Sequence, residues 1–263
     1  MKNICLQEFE NLDLRAKAFS TQEILRWSDL ARETLQEELT AFFPKIFLSE
    51  KDWRYVVRHY FFDPLPRTRY ALFVRSRDGE LVGTSSFDIG PAVYAGVEKK
   101  AAYVHIRALL PEVQIRGLGQ AMARWILSFE PDILFTTCMQ PASLYSWVRL
   151  VTGGYSAYYD IWPRLAEDEE VILLPPEVLG EAFSLFTQIY ADHVKGDAHR
   201  VEAVVRNLTV RFVRRAVGME YGEDPWSFPR RDPMAQGLDL KESDGVLVVV
   251  RRKQGEAFRI SRM

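Results

Sequence analysis

The sequence of 263 residues is long for one domain and short for two large ones. Hydrophobic residues make up 48% of it and charged residues 27%, which is the balance of a globular protein that buries a sizeable core. The formal net charge of -2 provides no overall field that would draw the chain to nucleic acid or to a membrane surface.

Cysteine content and hydropathy indicate the compartment of the protein and its relation to metals and membranes. The two cysteines, Cys5 and Cys138, are too few for a disulfide framework or a cysteine-rich metal site, so we expect a reducing compartment and no metal. The first ten residues lack the apolar stretch of a signal peptide, and no run approaches the roughly 18 apolar residues that span a bilayer. These features predict a cytoplasmic protein without membrane association.

Two helices are predicted at the N-terminus. Helical periodicity runs from Thr21 to Phe43, with Ser20 or Thr21 as N-cap and Pro44 as the stop. A second helix is predicted from Glu50 to Tyr60, with Ser49 as its cap. The aromatic stretch over residues 53–62 is typical of a core face, although it could line an acceptor or acyl pocket.

Strands and helices then alternate. A hairpin is predicted first, with a strand (Tyr70–Arg75), a turn with Asp78-Gly79 and a strand (Leu81–Ile89). After a loop containing Gly90-Pro91 and Gly96, the predicted order is a strand (Ala101–Leu110), a helix (Gly117–Phe129), a strand (Ile133–Cys138), a helix (Pro141–Leu150) closed by Gly153-Gly154, and a strand (Tyr155–Trp162). Two helices (Pro176–Val194 and Ala198–Val217) and a final strand at 245–250 complete the prediction. This order predicts an α/β or α+β fold around one mixed sheet.

A possible phosphate-binding turn lies between the strand ending at Leu110 and the following helix. Gly117 and Gly119 open that helix, whose first N–H groups have no internal partner and carry a partial positive charge. Glycines allow close approach of an anion, and Gln114 and Arg116 add side-chain donors. Two glycines near a helix start are by themselves more often a tight turn than a ligand site.

The wider segment is more specific. Gln114-Ile115-Arg116-Gly117-Leu118-Gly119, preceded by Pro111-Glu112, resembles motif A of the GNAT superfamily of acyl-CoA N-acyltransferases, whose pattern is Gln/Arg-x-x-Gly-x-Gly/Ala. The resemblance covers about residues 70–162. It implies a single GNAT-like domain with a mixed, mostly antiparallel central sheet flanked by helices: N-terminal helices (1–66), a core with the CoA site (67–163), a helical insert and loop (164–244) and a final core strand (245–252).

The resemblance also implies site residues. Amides from about Ile115 to Gln120 would bind the CoA pyrophosphate, and the N–H of Leu109 or Leu110 would polarise the thioester carbonyl beside a bulge. The implied donor-binding set is Leu109, Leu110, Gln114, Ile115, Arg116, Gly117, Leu118, Gly119 and Gln120. Tyr145 is the implied general acid, although its spacing to Gly153-Gly154 is longer than usual and Gln140 stands where the family commonly has Asn.

A candidate base lies on the preceding strand. Strand alternation predicts Tyr103, His105 and Arg107 on one face, and His105 titrates near neutrality and could accept a proton. The alternative is a half-exposed strand whose polar side meets solvent or a neighbouring carboxylate. Cys138 is interpreted as a buried structural thiol, and the arginines of residues 206–215 as a solvated basic face rather than a nucleic-acid surface.

The predicted function is an N-acyltransferase, with acetyl-CoA as the expected donor and direct attack by a small-molecule or peptide amine. Two alternatives stay open. A non-catalytic acyl-CoA-binding regulator or scaffold is one, because residues 103–107 contain no Glu or Asp. An acyl-carrier-protein donor is the other. The acceptor would be bound by the N-terminal helices and the 176–217 insert, and the oligomeric state is left open, a homodimer included.

Overall fold

The computed structural model describes residues 7, 9–47, 52–63, 67–138, 141–166, 170–190, 204–205, 215–216, 219–220 and 245–253. Its main sheet has the strand order β1-β2-β3-β4-β5-β12-β6, with β9 also paired to β12. These strands are β1 (Arg15–Ser20), β2 (Thr68–Arg75), β3 (Leu81–Tyr94), β4 (Val97–Leu109), β5 (Ile133–Cys138), β6 (Tyr159–Trp162), β9 (Val204–Val205) and β12 (Gly245–Arg252). Only the β4–β5 pair is parallel among them, so the predicted mixed, mostly antiparallel sheet is confirmed.

Helices flank this sheet. They are α1 (Thr21–Ile24), α2 (Asp29–Phe42), α3 (Trp53–Val57), α4 (Leu118–Leu127), α5 (Pro141–Leu150) and α6 (Pro176–Tyr190). Two further pairs of short strands lie apart from the sheet: β7 (Arg164–Leu165) with β8 (Val171–Ile172), and β10 (Arg215–Ala216) with β11 (Met219–Glu220). No helix in the described ranges is both long and apolar enough to cross a bilayer.

The N-terminal region differs from its prediction. The single helix predicted from Thr21 to Phe43 is two helices, because Ser28 accepts a hydrogen bond from the N–H of Ala31 and starts α2 afresh. Ser20 is the N-cap of α1 and forms a capping box with Glu23. Strand β1, which pairs with β2, was not predicted.

The second predicted helix is short. Helix α3 begins at Trp53 with Asp52 as N-cap, and it continues as a π-helical turn, Arg58–Phe62. The predicted cap Ser49 lies outside the described residues. Trp53 stacks on Phe43, so this part of the aromatic stretch is core.

The β3–β4 hairpin is longer than predicted. Gly90 and Pro91 lie within β3 rather than in a loop, and the chain reverses at Ala95 and Gly96, both with positive φ. Strand β2 stops pairing at Ile89, and beyond that residue no described strand pairs with the outer edge of β3, where the Gln188 side chain bonds the backbone of Val93. Proline is tolerated there because no described strand needs its N–H.

The C-terminal part mixes confirmed and wrong predictions. Strands β5 and β12 and helix α5 lie where they were predicted, and β12 inserts between β5 and β6. Helix α5 continues as a π-helical turn, Val151–Tyr155, so β6 starts at Tyr159 instead of Tyr155. The helix predicted at 198–217 is wrong at 204–205 and 215–216, which are strands β9 and β10. The arginines at 206, 211 and 214 lie outside the described residues.

Each face of the sheet is covered by a helix near its centre. On one face Trp125 of α4 packs edge-on against Phe87 of β3, with ring centroids 5.2 Å apart. On the other face Phe186 of α6 contacts Tyr103 of β4 at 6.0 Å and Phe135 of β5 at 5.4 Å. Helix α6, from the segment predicted as an insert, therefore covers the two central strands.

Candidate functional site

The two parallel strands at the centre of the sheet diverge. Their pairing runs from Ala101 opposite Ile133 to Val104 opposite Thr136 and ends there. Strand β4 nevertheless continues to Leu109, and β5 continues to Cys138 with β12 as its partner. An opening therefore lies between the C-terminal halves of β4 and β5.

A β-bulge lies where this divergence begins. Phe87 is opposite Val104 and Ser86 is opposite Ile106, so His105 is an extra residue on β4. One extra residue reverses the side-chain alternation of everything that follows it. The bulge was predicted near Leu109, and the structure places it four residues earlier.

The reversal separates the three polar residues predicted to share a face. Tyr103 and His105 are in ring contact at 5.0 Å on the side of α6. Arg107 instead points to the opposite side, toward α4 and α5. The prediction of a common face is therefore wrong for Arg107, because alternation was counted through a regular strand.

His105 meets a buried carboxylate. Its side chain is 1% exposed, and Nε2 lies 3.1 Å from Oδ2 of Asp88. The Asp88 carboxylate is itself bound by Arg69, from Nε to Oδ1 at 2.7 Å and from Nη2 to Oδ2 at 3.2 Å. Arg69 also donates to the carbonyl of His59, and the Tyr60 ring stacks on His105 with centroids 5.2 Å apart. The His105 ring thus has one edge beside the Asp88 carboxylate and one face against the Tyr60 ring.

The Arg107 side chain lies between α4 and α5. Its Nη1 donates to the carbonyl of Gly119 at 2.9 Å, and its Nη2 donates to Ser143 O and Oγ, both at 3.2 Å, and to Ser146 Oγ at 2.5 Å. The guanidinium carbon lies 5.1 Å from the ring centroid of Trp147. Burial lowers the pKa of Arg107 to about 10, so the group is still charged at neutral pH.

The glycine turn leads into α4 by way of a 3-10 helix, Pro111–Arg116. Gly117 adopts the left-handed conformation with φ 75° and is the N-cap of α4, without a side-chain hydrogen bond. The first backbone hydrogen bond of α4 runs from the N–H of Gln120 to the carbonyl of Gly117 at 3.0 Å. The N–H groups of Leu118 and Gly119 lie before this bond, at the start of the helix. Apart from the chain neighbours and the backbone of α4 itself, no described heavy atom lies within 4 Å of a Cβ built on Gly117 or Gly119.

Several N–H groups that were predicted to bind the phosphates of CoA already have partners within the turn. The amide of Gln120 is used within the helix, and Gln114 Nε2 donates to the carbonyl of Leu109 at 3.0 Å, closing the turn. The backbone amides of Ile115 and Arg116 belong to the 3-10 helix, in which N–H groups point back to carbonyls, and their side chains lie outside the described residues. The N–H groups of Leu118 and Gly119 lie before the first backbone bond of α4, so their role as anion donors stays a prediction.

Leu109 and Leu110, the two residues whose N–H groups were predicted to polarise the thioester carbonyl, differ in the direction of those groups. The N–H of Leu110 donates to the carbonyl of Val82 at 2.9 Å and is therefore used within the sheet. The adjacent pair, Leu109 opposite Gly83, is then a non-hydrogen-bonded pair, in which N–H groups point away from the partner strand. The N–H of Leu109 is thus directed toward the opening, and Leu110 is not available for that role.

Tyr145 lies on α5 and is half-buried, between Ser143 and Ser146 along the chain. Arg107 therefore connects the Gly119 turn with the helix that carries Tyr145. Residues 84–86 and 88 are polar and buried on β3, and that run inside a predicted strand is the signal that could have revealed Asp88 as a partner of His105. Cys138 is buried, as predicted.

Part of the chain, including the candidate site, matches a known protein family. Residues 32–139 match the family model described as acetyltransferase (GNAT) family. Residues 32–139, less than half of the chain, are therefore similar to the GNAT family of acetyltransferases. The GNAT match begins within α2, earlier than the predicted resemblance at residue 70, and it includes the opening, His105 and the whole of α4.

Solved structures to which the chain is similar include acetyltransferases. An aminoglycoside antibiotic 6'-N-acetyltransferase from Acinetobacter baumannii is 10% identical, covering 53% of this chain and 89% of that one, with a TM-score of 0.35. A GNAT-family protein from Bacteroides thetaiotaomicron is 15% identical, covering 69% and 99%, with a TM-score of 0.36. A Corynebacterium glutamicum protein described as histone acetyltransferase and related acetyltransferase is 12% identical, covering 58% and 89%, also at 0.36. A comparison with curated proteins finds no match.

Proposed function

We propose that this chain is an N-acyltransferase that moves an acyl group, with acetyl-CoA as the preferred donor, to the amine of a small molecule or peptide. The observation that carries the proposal is the uncapped start of α4, beside the opening between β4 and β5. Backbone N–H groups and the helix dipole there suit a pyrophosphate, and among the described residues no atom outside the local backbone crowds a Cβ at Gly117 or Gly119.

The proposal assigns the remaining steps of acyl transfer to Leu109, Tyr145 and His105. The amine nitrogen would attack the carbonyl carbon of the thioester, while the N–H of Leu109 stabilises the developing oxyanion. As the C–S bond breaks, the Tyr145 hydroxyl would donate its proton to the leaving thiolate. The proton lost by the amine would pass to His105, which the Asp88 carboxylate orients at 3.1 Å.

A second candidate, a non-catalytic acyl-CoA-binding protein, is favoured by one observation. The His105 side chain is 1% exposed and lies on the side of the sheet away from Arg107 and α4, so a proton could reach it only through water or after a movement of neighbouring side chains. In that case the α4 site would bind the donor without turnover. An acyl-carrier-protein donor would use the same opening without needing the nucleotide end of CoA.

The donor site is tested by thermal unfolding with and without acetyl-CoA. A ligand that binds only the native state at about 100 times its Kd stabilises that state by about 2.7 kcal/mol, so the wild-type melting temperature should rise by several degrees. Gly119→Asp should abolish the rise, because it places a carboxylate where the pyrophosphate is expected. Gly119 has no positive φ and its Cβ position is open, so the substitution causes no steric strain.

Gly119→Asn is the matched control, since it has the same shape without the charge. An acid in the first helical turn is favourable to the helix, so the unliganded Asp variant should melt no earlier than the Asn variant. No rise in the wild type, or an equal rise in the Asp variant, would refute the donor site. Release of free thiol with a panel of amines then separates the enzyme from the non-catalytic binder.

A further inference from the structure

One half-buried side chain connects the two helices of the proposed site. The Arg107 guanidinium bonds Gly119 O in the first turn of α4 through Nη1, and Ser143 and Ser146 in the first half of α5 through Nη2. It is the planar, five-donor shape of this group that allows simultaneous bonds in two directions. Trp147 supports its face.

The position of Arg107 follows from two backbone features. The bulge at His105 turns Arg107 to the side of α4 and α5, and the pairing of β4 with β5 ends at Val104, three residues before Arg107. Arg107 therefore bonds the two helices at a point along β4 where the two strands no longer pair. Ser146 extends the network, because its Oγ also donates to Ser143 O at 2.7 Å.

We propose that Arg107 is a positioning residue, which holds the anion-binding start of α4 at a set distance from Tyr145 on α5. This inference rests on the proposed function for its catalytic consequence, but the connection itself is a property of the unliganded chain. The donor phosphates and the leaving sulfur belong to one molecule, so an acid on α5 acts on that sulfur only while the two helix ends keep their separation.

The charge and the shape of Arg107 make different predictions. Lysine preserves a positive charge, but its compact ammonium cannot reach both Gly119 O and the Ser143–Ser146 group in the same geometry. If Arg107 acts by charge alone, Arg107→Lys should retain function. If it acts by connecting the helices, Arg107→Lys should lose function while the protein stays folded.

The first measurement is amide hydrogen exchange of the unliganded wild type and Arg107→Lys. We expect faster exchange at the starts of α4 and α5 and unchanged exchange in α2, which Arg107 does not contact. Unchanged exchange at both helix starts would overturn the connection, whatever the donor. This readout is independent of whether the chain binds acetyl-CoA, so its failure is distinct from failure of the proposed function.

The second measurement separates kcat from donor affinity. Arg107→Lys should weaken acetyl-CoA binding by about tenfold and lower kcat by about ten- to a hundredfold, the scale of a misplaced reacting group. Ser146→Ala removes two bonds, both on the α5 side, so kcat should fall several-fold while the Kd for acetyl-CoA stays constant. A folded Arg107→Lys variant with wild-type kcat and Kd would overturn the positioning role, since a merely structural residue would change the melting temperature alone.

Discussion

Replacing Asp88 by Asn is expected to lower the free energy of unfolding by about 3–5 kcal/mol, the cost of leaving a buried charge without its partner. The side chains of Arg69 and Asp88 are 1% and 0% exposed, and two hydrogen bonds join them. Asparagine has the shape of aspartate but neither its charge nor its second acceptor oxygen. Since whole domains are stable by only about 5–15 kcal/mol, the loss should be visible as a large drop in the denaturant midpoint.

Glu80→Gln is the control for this change. Glu80 forms an ion pair with Lys45 at 3.3 Å, but the two side chains are 62% and 53% exposed, so the loss should be within about 1 kcal/mol. The double variant Arg69→Met with Asp88→Leu should recover much of the stability lost in Asp88→Asn, because no unpaired charge is left. Equal losses for Asp88→Asn and Glu80→Gln would contradict the buried pair.

Tyr145→Phe is expected to lower kcat by about 10²–10⁴-fold, the usual contribution of a general acid. The substitution removes one hydroxyl from a half-buried ring on α5 and changes little volume. Binding of acetyl-CoA should be retained, because the anion donors lie on α4. The rate is measured as thiol release, together with the Kd for the donor.

Tyr158→Phe removes a hydroxyl from a second half-buried tyrosine outside the proposed site, and it should leave kcat within about twofold, because it removes no general acid. Intact turnover in Tyr145→Phe would show that another group protonates the thiolate. A loss of kcat in both variants would point to a general effect on folding rather than to acid catalysis.

Local signals were enough for much of the fold. The Asp78-Gly79 turn, the apolar strand at residues 133–138 and the β-branched run at 245–250 were found because each is defined by its own residues. Ser28 shows the limit of such signals. It lies within a continuous helical periodicity, and only its hydrogen bond to the N–H of Ala31 reveals that a new helix begins there.

The candidate site also has features that the sequence determined and features that only the tertiary structure decided. By itself the sequence determined the glycine turn at Gly117 and Gly119, because a helix start with exposed N–H groups is a local structure. Tertiary structure alone decided which way Arg107 points, since one bulged residue, His105, reverses the alternation of a strand and depends on how β3 pairs with β4. It also decided the partnership of His105 with Asp88, because the contact joins residues that are distant in sequence and adjacent only once the sheet has formed.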